Sequence, residues 1–208
     1  MTVAPLRELA DEDAQLLPLT VEQYHRMIKS GVIQEGEPYE LLDGILVRKQ
    51  RNASGEDPMT IGDEHSWVVN MLGRLAHTLE KRGCHIRLQQ PITIPDHDEP
   101  EPDAAIIRGA IEDYRGRHPG PADVLCVIEV ADASLRRDRM IKQRIYASAA
   151  ISQYIIINLS QRRVELYSQP VPDKGQYADK RIISAKEKLS LPTGTSKRLP
   201  VPLKQLLP

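Results

Sequence analysis

The sequence predicts an α/β domain. Three observations predict it. Residues 124–130 form an apolar run interrupted only by Glu129, as in a strand covered on both faces. Residues 138–150 return to helical spacing through Ile141, Ile145 and Ala149, and residues 154–157 form a second buried strand. A strand, helix, strand succession requires a sheet with a helix packed on it.

The elements follow in order. Thr20 with Gln23 three residues later makes a capping-box pattern, which predicts a short helix to Lys29 that Gly31 stops. Two apolar runs, 39–42 and 45–47, flank Asp43-Gly44, a pair suited to the two positive-φ positions of a type I′ hairpin. Residues 51–62 carry Asn, Ser, Gly, Asp and Pro without apolar periodicity and predict a long, mobile loop. A helix is expected over 63–82, because Val68, Met71, Leu72, Leu75 and Leu79 fall on one face and Gly83 ends it. Cys84, Ile86 and Leu88 alternate as a half-buried strand, which Pro91-Ile-Thr-Ile extends or bends. Strands are expected at 103–108, 123–130, 153–158 and 163–167. The last forty residues mix Pro, Gly and charge with short apolar runs, as edge strands before a Pro-rich end. One domain covers 1–208, with a tail at 1–19, a core at 20–168 and the edge strands at 169–208.

Composition excludes several classes. With 208 residues, 40% of them hydrophobic, the chain can bury a core without disulfides or a structural metal. Cys84 and Cys126 lie far apart in apolar runs, which predicts reduced thiols and a cytoplasmic setting. No run approaches the roughly 20 apolar residues of a membrane span, and no signal peptide is expected at the start of the chain. The net charge of −1 hides an asymmetry. Residues 1–64 carry 13 acidic and 6 basic side chains, and residues 65–208 carry 16 and 22. Arg136, Arg137 and Arg139 belong to the densest basic cluster, suited to phosphate or simply to a solvated helix face.

Four features carry chemistry: Asp103 after Pro102, Glu129, Lys142, and Glu40 with His65. A carboxylate inside an apolar strand needs a cation, a donor or a proton, so Glu129 is either a metal ligand or one half of a buried ion pair with Lys142 or an arginine. Asp103 is equally a strand-start turn residue, Lys142 an exposed helix lysine, and Glu40 a solvent-facing strand position. His65 also fits as a hydrogen-bonding partner of Asp63 or Glu64. If the strands of Asp103 and Glu129 are adjacent, their carboxylates converge, and hard oxygen donors suit Mg²⁺ or Mn²⁺ rather than structural zinc. Trp67 sits beside the apolar stripe of its helix and reads as a packing residue. No Gly-rich phosphate loop, zinc-spaced cysteine pair or nucleophile elbow is present.

Five motifs in this order resemble the Uma-two family, a branch of the PD-(D/E)XK nuclease superfamily. They are Tyr39-Glu40-Leu41-Leu42-Asp43-Gly44, His65 at a helix start, Pro102-Asp103, Ile128-Glu129-Val130, and Asp138, Lys142 and Tyr146 on one helix. The resemblance runs from about Thr20 to Tyr167. It implies a restriction-endonuclease-like mixed central sheet flanked by helices, with an N-terminal helix and a β-hairpin. It also implies Mg²⁺- or Mn²⁺-dependent hydrolysis of phosphodiester bonds, with DNA as the partner. Asp103, Glu129, the Val130 carbonyl and Glu40 would surround the metal, with Lys142 in place of the superfamily's strand lysine. That strand position is Ala131 here. His65 is an accessory candidate, and Arg136, Arg137 and Arg139 would hold the phosphate backbone. A homodimer would supply the two sites that double-strand cleavage needs. The competing expectation is a non-enzymatic DNA-binding or protein-interaction module. An open cleft around Lys142 and both carboxylates favours the enzyme, whereas a sealed triad favours the module.

Overall fold

The structure, a computed structural model, describes residues 17–34, 36–49 and 62–208. Most of the acidic tail and nearly all of the loop expected at 51–62 lie outside these residues. The first helix, α1 (Val21–Lys29), is capped by Thr20, whose hydroxyl accepts from the Gln23 N–H while the Gln23 side chain accepts from the Thr20 N–H. It packs Val21 and Tyr24 against Leu41. The hairpin β1 (Tyr39–Leu42) and β2 (Ile45–Arg48) turns at Asp43 and Gly44, with φ of 52° and 71°. At Gly44 a Cβ would come within 2.3 Å of Pro18 Cβ, so space and backbone conformation both require glycine there.

Six strands form the main sheet in the order β3 (Cys84–Leu88), β4 (Ala104–Arg108), β5 (Val124–Ala131), β6 (Gln153–Asn158), β7 (Arg163–Val171) and β8 (Gln176–Ser184). Neighbours are antiparallel except β5 and β6. A parallel pair needs a crossover, and α4 provides it. This helix runs through Leu135–Arg137, a π-helical turn at Asp138–Lys142, and Gln143–Ser148. The fold is therefore the mixed sheet with flanking helices that the resemblance implies.

β5 is buried along its whole length because both faces are covered. Cys126, Ile128 and Val130 belong to one core layer with Val68 and Leu72 of α2 (Asp63–Gly73), and Leu79 of α3 (Ala76–Glu80). Val127 and Ala131 belong to the opposite layer, with Ile145, Tyr146 and Tyr154. Strand alternation places Glu129 on that second face, under α4.

Some boundaries differ from expectation. The helix expected over 63–82 is two helices, separated where Gly73, the weakest helix former of the segment, ends α2. Pro91-Ile-Thr-Ile does not prolong β3. Gln89 adopts φ of 50°, the chain turns away, and Ile94 pairs with Asp98 as an isolated bridge. The crossover helix begins at 135 rather than 138, and β7 continues to 171. In the C-terminal region β8 is the sheet edge, while β9 (Lys188–Leu191) and β10 (Leu199–Pro202) form a separate antiparallel pair packed into the first core layer. Both cysteines are buried and free. No described helix is long and apolar enough to cross a membrane.

Candidate active site

Strand register builds the site. Ala104 faces Ile128 across β4 and β5, so continuing the antiparallel ladder by one residue sets Asp103 beside Glu129. The Val130 N–H donates to Asp103 Oδ2 at 2.8 Å, which ties the two strand ends together. From α2, His65 Nε2 lies 3.0 Å from Asp103 Oδ1. His65 thus contacts Asp103 rather than its helix neighbours.

Helical spacing builds the other wall. Asp138, Lys142 and Tyr146 lie four residues apart and share one face of α4. Lys142 Nζ donates to Glu129 Oε1 at 2.9 Å, and the Tyr146 hydroxyl donates to the same oxygen at 3.0 Å. Lys142 also reaches Glu40 Oε2 at 3.0 Å, bringing the hairpin strand β1 into the cluster. Glu40 is held from behind as well, because its Oε2 accepts from the Glu101 N–H at 3.1 Å. Lys142, Glu40 and Glu129 are 2%, 0% and 3% exposed.

Burial dominates the electrostatics. It pushes the Glu129 carboxyl upward, with Asp138, Asp103 and Glu40 acting in the same direction, while the Lys142 ammonium opposes them and favours the ionised form. Asp103 and Glu40 end below the usual carboxylate range despite burial. His65, the Val130 N–H and Lys142 hold Asp103 down; Lys142, Lys49 and Arg137 hold Glu40 down. Burial alone would lower the Lys142 pKa, but Glu129 and Glu40 more than offset it and keep the ammonium charged. Glu40 Oε1 and Asp138 Oδ1 are buried without a hydrogen-bond partner, and so are His65 Nδ1 and Arg137 Nε.

An open cleft of about 340 Å³ lies over this cluster, lined by His65, Asp103, Glu129, Val130, Arg137 and Lys142 among others. Glu40 sits behind that lining and touches the cleft through Lys142. Of the three arginines expected at phosphate, only Arg137 lines the cleft. Arg136 is exposed, and the Arg139 guanidinium pairs with Glu165 of β7. Trp67, expected to pack, is instead 51% exposed. It lies one step around α2 from Val68, and that rotation of about 100° carries it off the core-facing stripe.

A second constellation was not expected from the sequence. Ligating atoms of His25, Glu99 and His118 lie within 4.8 Å of one another. With separations of 74 and 19 residues, no motif spacing announces it. Among the described residues it is the one such group of three His, Cys, Asp or Glu side chains, so the cleft carboxylates do not close to that spacing.

The sheet, its crossover helix and the acidic cleft define a restriction-endonuclease-like protein. The chain belongs to the Uma2 family, described as "Putative restriction endonuclease", which matches residues 21–202. A solved structure, described as a putative nuclease belonging to DUF820 from Anabaena variabilis ATCC 29413, has a similar fold. Its TM-score is 0.63 at 16% sequence identity, over 91% of this chain and 97% of that one. No curated protein matches.

Proposed function

We propose that the protein is a divalent-metal-dependent endonuclease that hydrolyses phosphodiester bonds in DNA. The observation that carries this reading is the convergence of His65, Asp103, Glu129 and Lys142, with Glu40 behind them, on one open cleft. These residues come from five separate stretches of the chain. A bound Mg²⁺ or Mn²⁺ lowers the pKa of a coordinated water and neutralises charge developing on the phosphate. The residues present fit such an ion. Their donors are hard carboxylate and carbonyl oxygens on residues that line the cleft, Asp103, Glu129 and Val130.

Asp103 and Glu129 would hold the ion with the Val130 carbonyl, while Glu40, behind the lining, would hold Lys142 in place. His65 fixes the Asp103 carboxylate by its contact at 3.0 Å. Lys142 is the positioned cation of the site, and its ammonium orients the attacking water or stabilises transition-state charge. Arg137, lining the cleft, meets the phosphate backbone, and Arg136 adds exposed positive charge nearby. Arg139 is the weakest of the three for this role, because Glu165 already engages it.

Cleavage of supercoiled plasmid in Mg²⁺ or Mn²⁺ tests the reading. The wild type should nick or linearise the plasmid. Asp103→Ala and Glu129→Ala should each lose on the order of 10²–10³-fold or more of that activity, with an unchanged circular dichroism spectrum. Full activity in either variant sinks the assignment.

One observation favours a second reading. The Glu40, Lys142 and Glu129 side chains are almost sealed from solvent, as in a structural ion triad. A nuclease fold retained as a DNA-binding or protein-interaction module would look like this. Calorimetric titration separates the two: an ion that binds the wild type and is lost in both alanine variants supports the enzyme. DNA binding without cation uptake or cleavage supports the module.

A further inference from the structure

Outside the cleft, two imidazoles converge on one buried carboxylate. His25 projects from α1, Glu99 belongs to the segment bridged to β1 through Leu41, and His118 lies in the connection before β5. Glu99 is 3% exposed, and a carboxylate so placed needs donors or a cation. Its oxygens lie 2.7 and 2.9 Å from His25 Nε2, and the Thr93 hydroxyl donates to Oε2 at 2.7 Å. The two imidazole rings stand edge to face with centroids 6.2 Å apart. The hydrogen bond of the His118 ring, from Arg87 to Nδ1 at 3.5 Å, is too long to fix it.

We propose that His25, Glu99 and His118 bind a divalent transition metal of the Zn²⁺ class, which clips α1 to the segment leading into Asp103. Two imidazoles and a carboxylate are a zinc donor set that leaves a fourth position for water. Imidazole nitrogen also selects such an ion over Mg²⁺, which prefers the all-oxygen donors of the cleft. Tetrahedral ligands about 2.1 Å from zinc stand about 3.4 Å apart. His25 and Glu99 therefore need to separate by about 0.5–0.7 Å, and His118 to close from within 4.8 Å of them. Thr93 supplies the outer hydrogen bond that orients a ligating carboxylate.

The site is distinct from the cleft, since none of its three ligands lines that cavity. It is nonetheless mechanically adjacent. Glu99 precedes by two residues Glu101, whose N–H donates to Glu40, and by four residues Asp103. Metal binding there requires no nuclease activity.

Chelator-competition titration of the full chain with Zn²⁺ tests it, with the wild type beside His25→Ala, His118→Ala and Asp103→Ala. Both histidines are partly exposed, so their alanine variants should fold, which circular dichroism checks. The wild type should bind one equivalent tightly and melt at a higher temperature with Zn²⁺. Either histidine variant should lose more than about 100-fold in affinity, since even outer-shell partners of a metal are worth 10–100-fold. Asp103→Ala should keep the site. Three outcomes overturn the proposal: no binding by the wild type, unchanged affinity in both histidine variants, or a site lost in Asp103→Ala but kept in His25→Ala. The cluster is then an ion pair between His25 and Glu99.

Discussion

Lys142 is the cation between two buried carboxylates, Glu40 and Glu129, and all three residues are nearly inaccessible. Removing one member of such a group leaves uncompensated buried charge, which outweighs the modest net value of the intact ion pairs. Lys142→Met should therefore lower the unfolding free energy by about 3–5 kcal/mol in urea melts at neutral pH. Adding Glu129→Gln should recover a measurable part of that loss, because the two residues are in contact and their effects do not add. Glu165 is a second buried carboxylate with the opposite balance. Burial raises it, but Arg139, Lys180 and Tyr167 bring it down to about 2 from 4.5. A depressed carboxylate pKa stabilises the fold above the unfolded value and loses that contribution as pH falls through 4.5 towards 2. The cations are partly exposed, which reduces their contribution. Glu165→Gln should cost about 2 kcal/mol at pH 7 and almost nothing near pH 2, as urea melts at the two pH values would show.

At the scale of elements, the hairpin and the crossover helix deliver the site, and both were legible for local reasons. Asp43-Gly44 has the turn chemistry that its positive φ values require, so the β1–β2 register follows from the sequence. That register puts Glu40 at the inward-facing position. Gly44→Ala forces both the positive φ and the clash with Pro18, so it should destabilise the fold by about 1–3 kcal/mol, read as a lower urea midpoint. The i, i+4 spacing of Asp138, Lys142 and Tyr146 likewise announced one helix face. It did not announce the π-helical turn at Asp138–Lys142, a local widening that often occurs at functional positions. Nor did it show that Arg139, one residue past Asp138, would face Glu165 of β7 rather than the cleft. Rotation around a helix is readable from sequence, but which neighbour waits on each side is not.

At the scale of the whole molecule, the C-terminal strands complete a core layer that the preceding sheet leaves uncovered. Leu189, Leu191, Leu199, Val201, Leu203, Leu206 and Leu207 all pack into the layer that holds Val68, Leu72 and Ile128. Burying one such side chain contributes about 2 kcal/mol, so together these seven match the roughly 5–15 kcal/mol net stability of a domain. Deleting residues 188–208 should therefore yield a chain without a cooperative thermal transition, measured by calorimetry. A sharp transition near the full-length melting temperature would show that the layer closes without them. The weak patterning of this region hid its importance. Its apolar residues come in short runs between Pro, Gly and Lys, and they find a common face only once β9 and β10 pair.

By itself the sequence determined the α/β class, the hairpin turn and the doubly buried strand around Glu129, and it named His65, Asp103, Glu129, Val130, Arg137 and Lys142 among the residues that line the cleft. Each depends on local chemistry: a period of 2 or 3.6, a positive φ, or a charge inside an apolar run. Tertiary structure alone decided that Lys142 bridges Glu129 to Glu40, that His65 meets Asp103, and that His25, Glu99 and His118 converge. Those contacts join residues 13 to 102 positions apart along the chain. Their partners are set by sheet register and layer packing, which local periodicity constrains but does not specify.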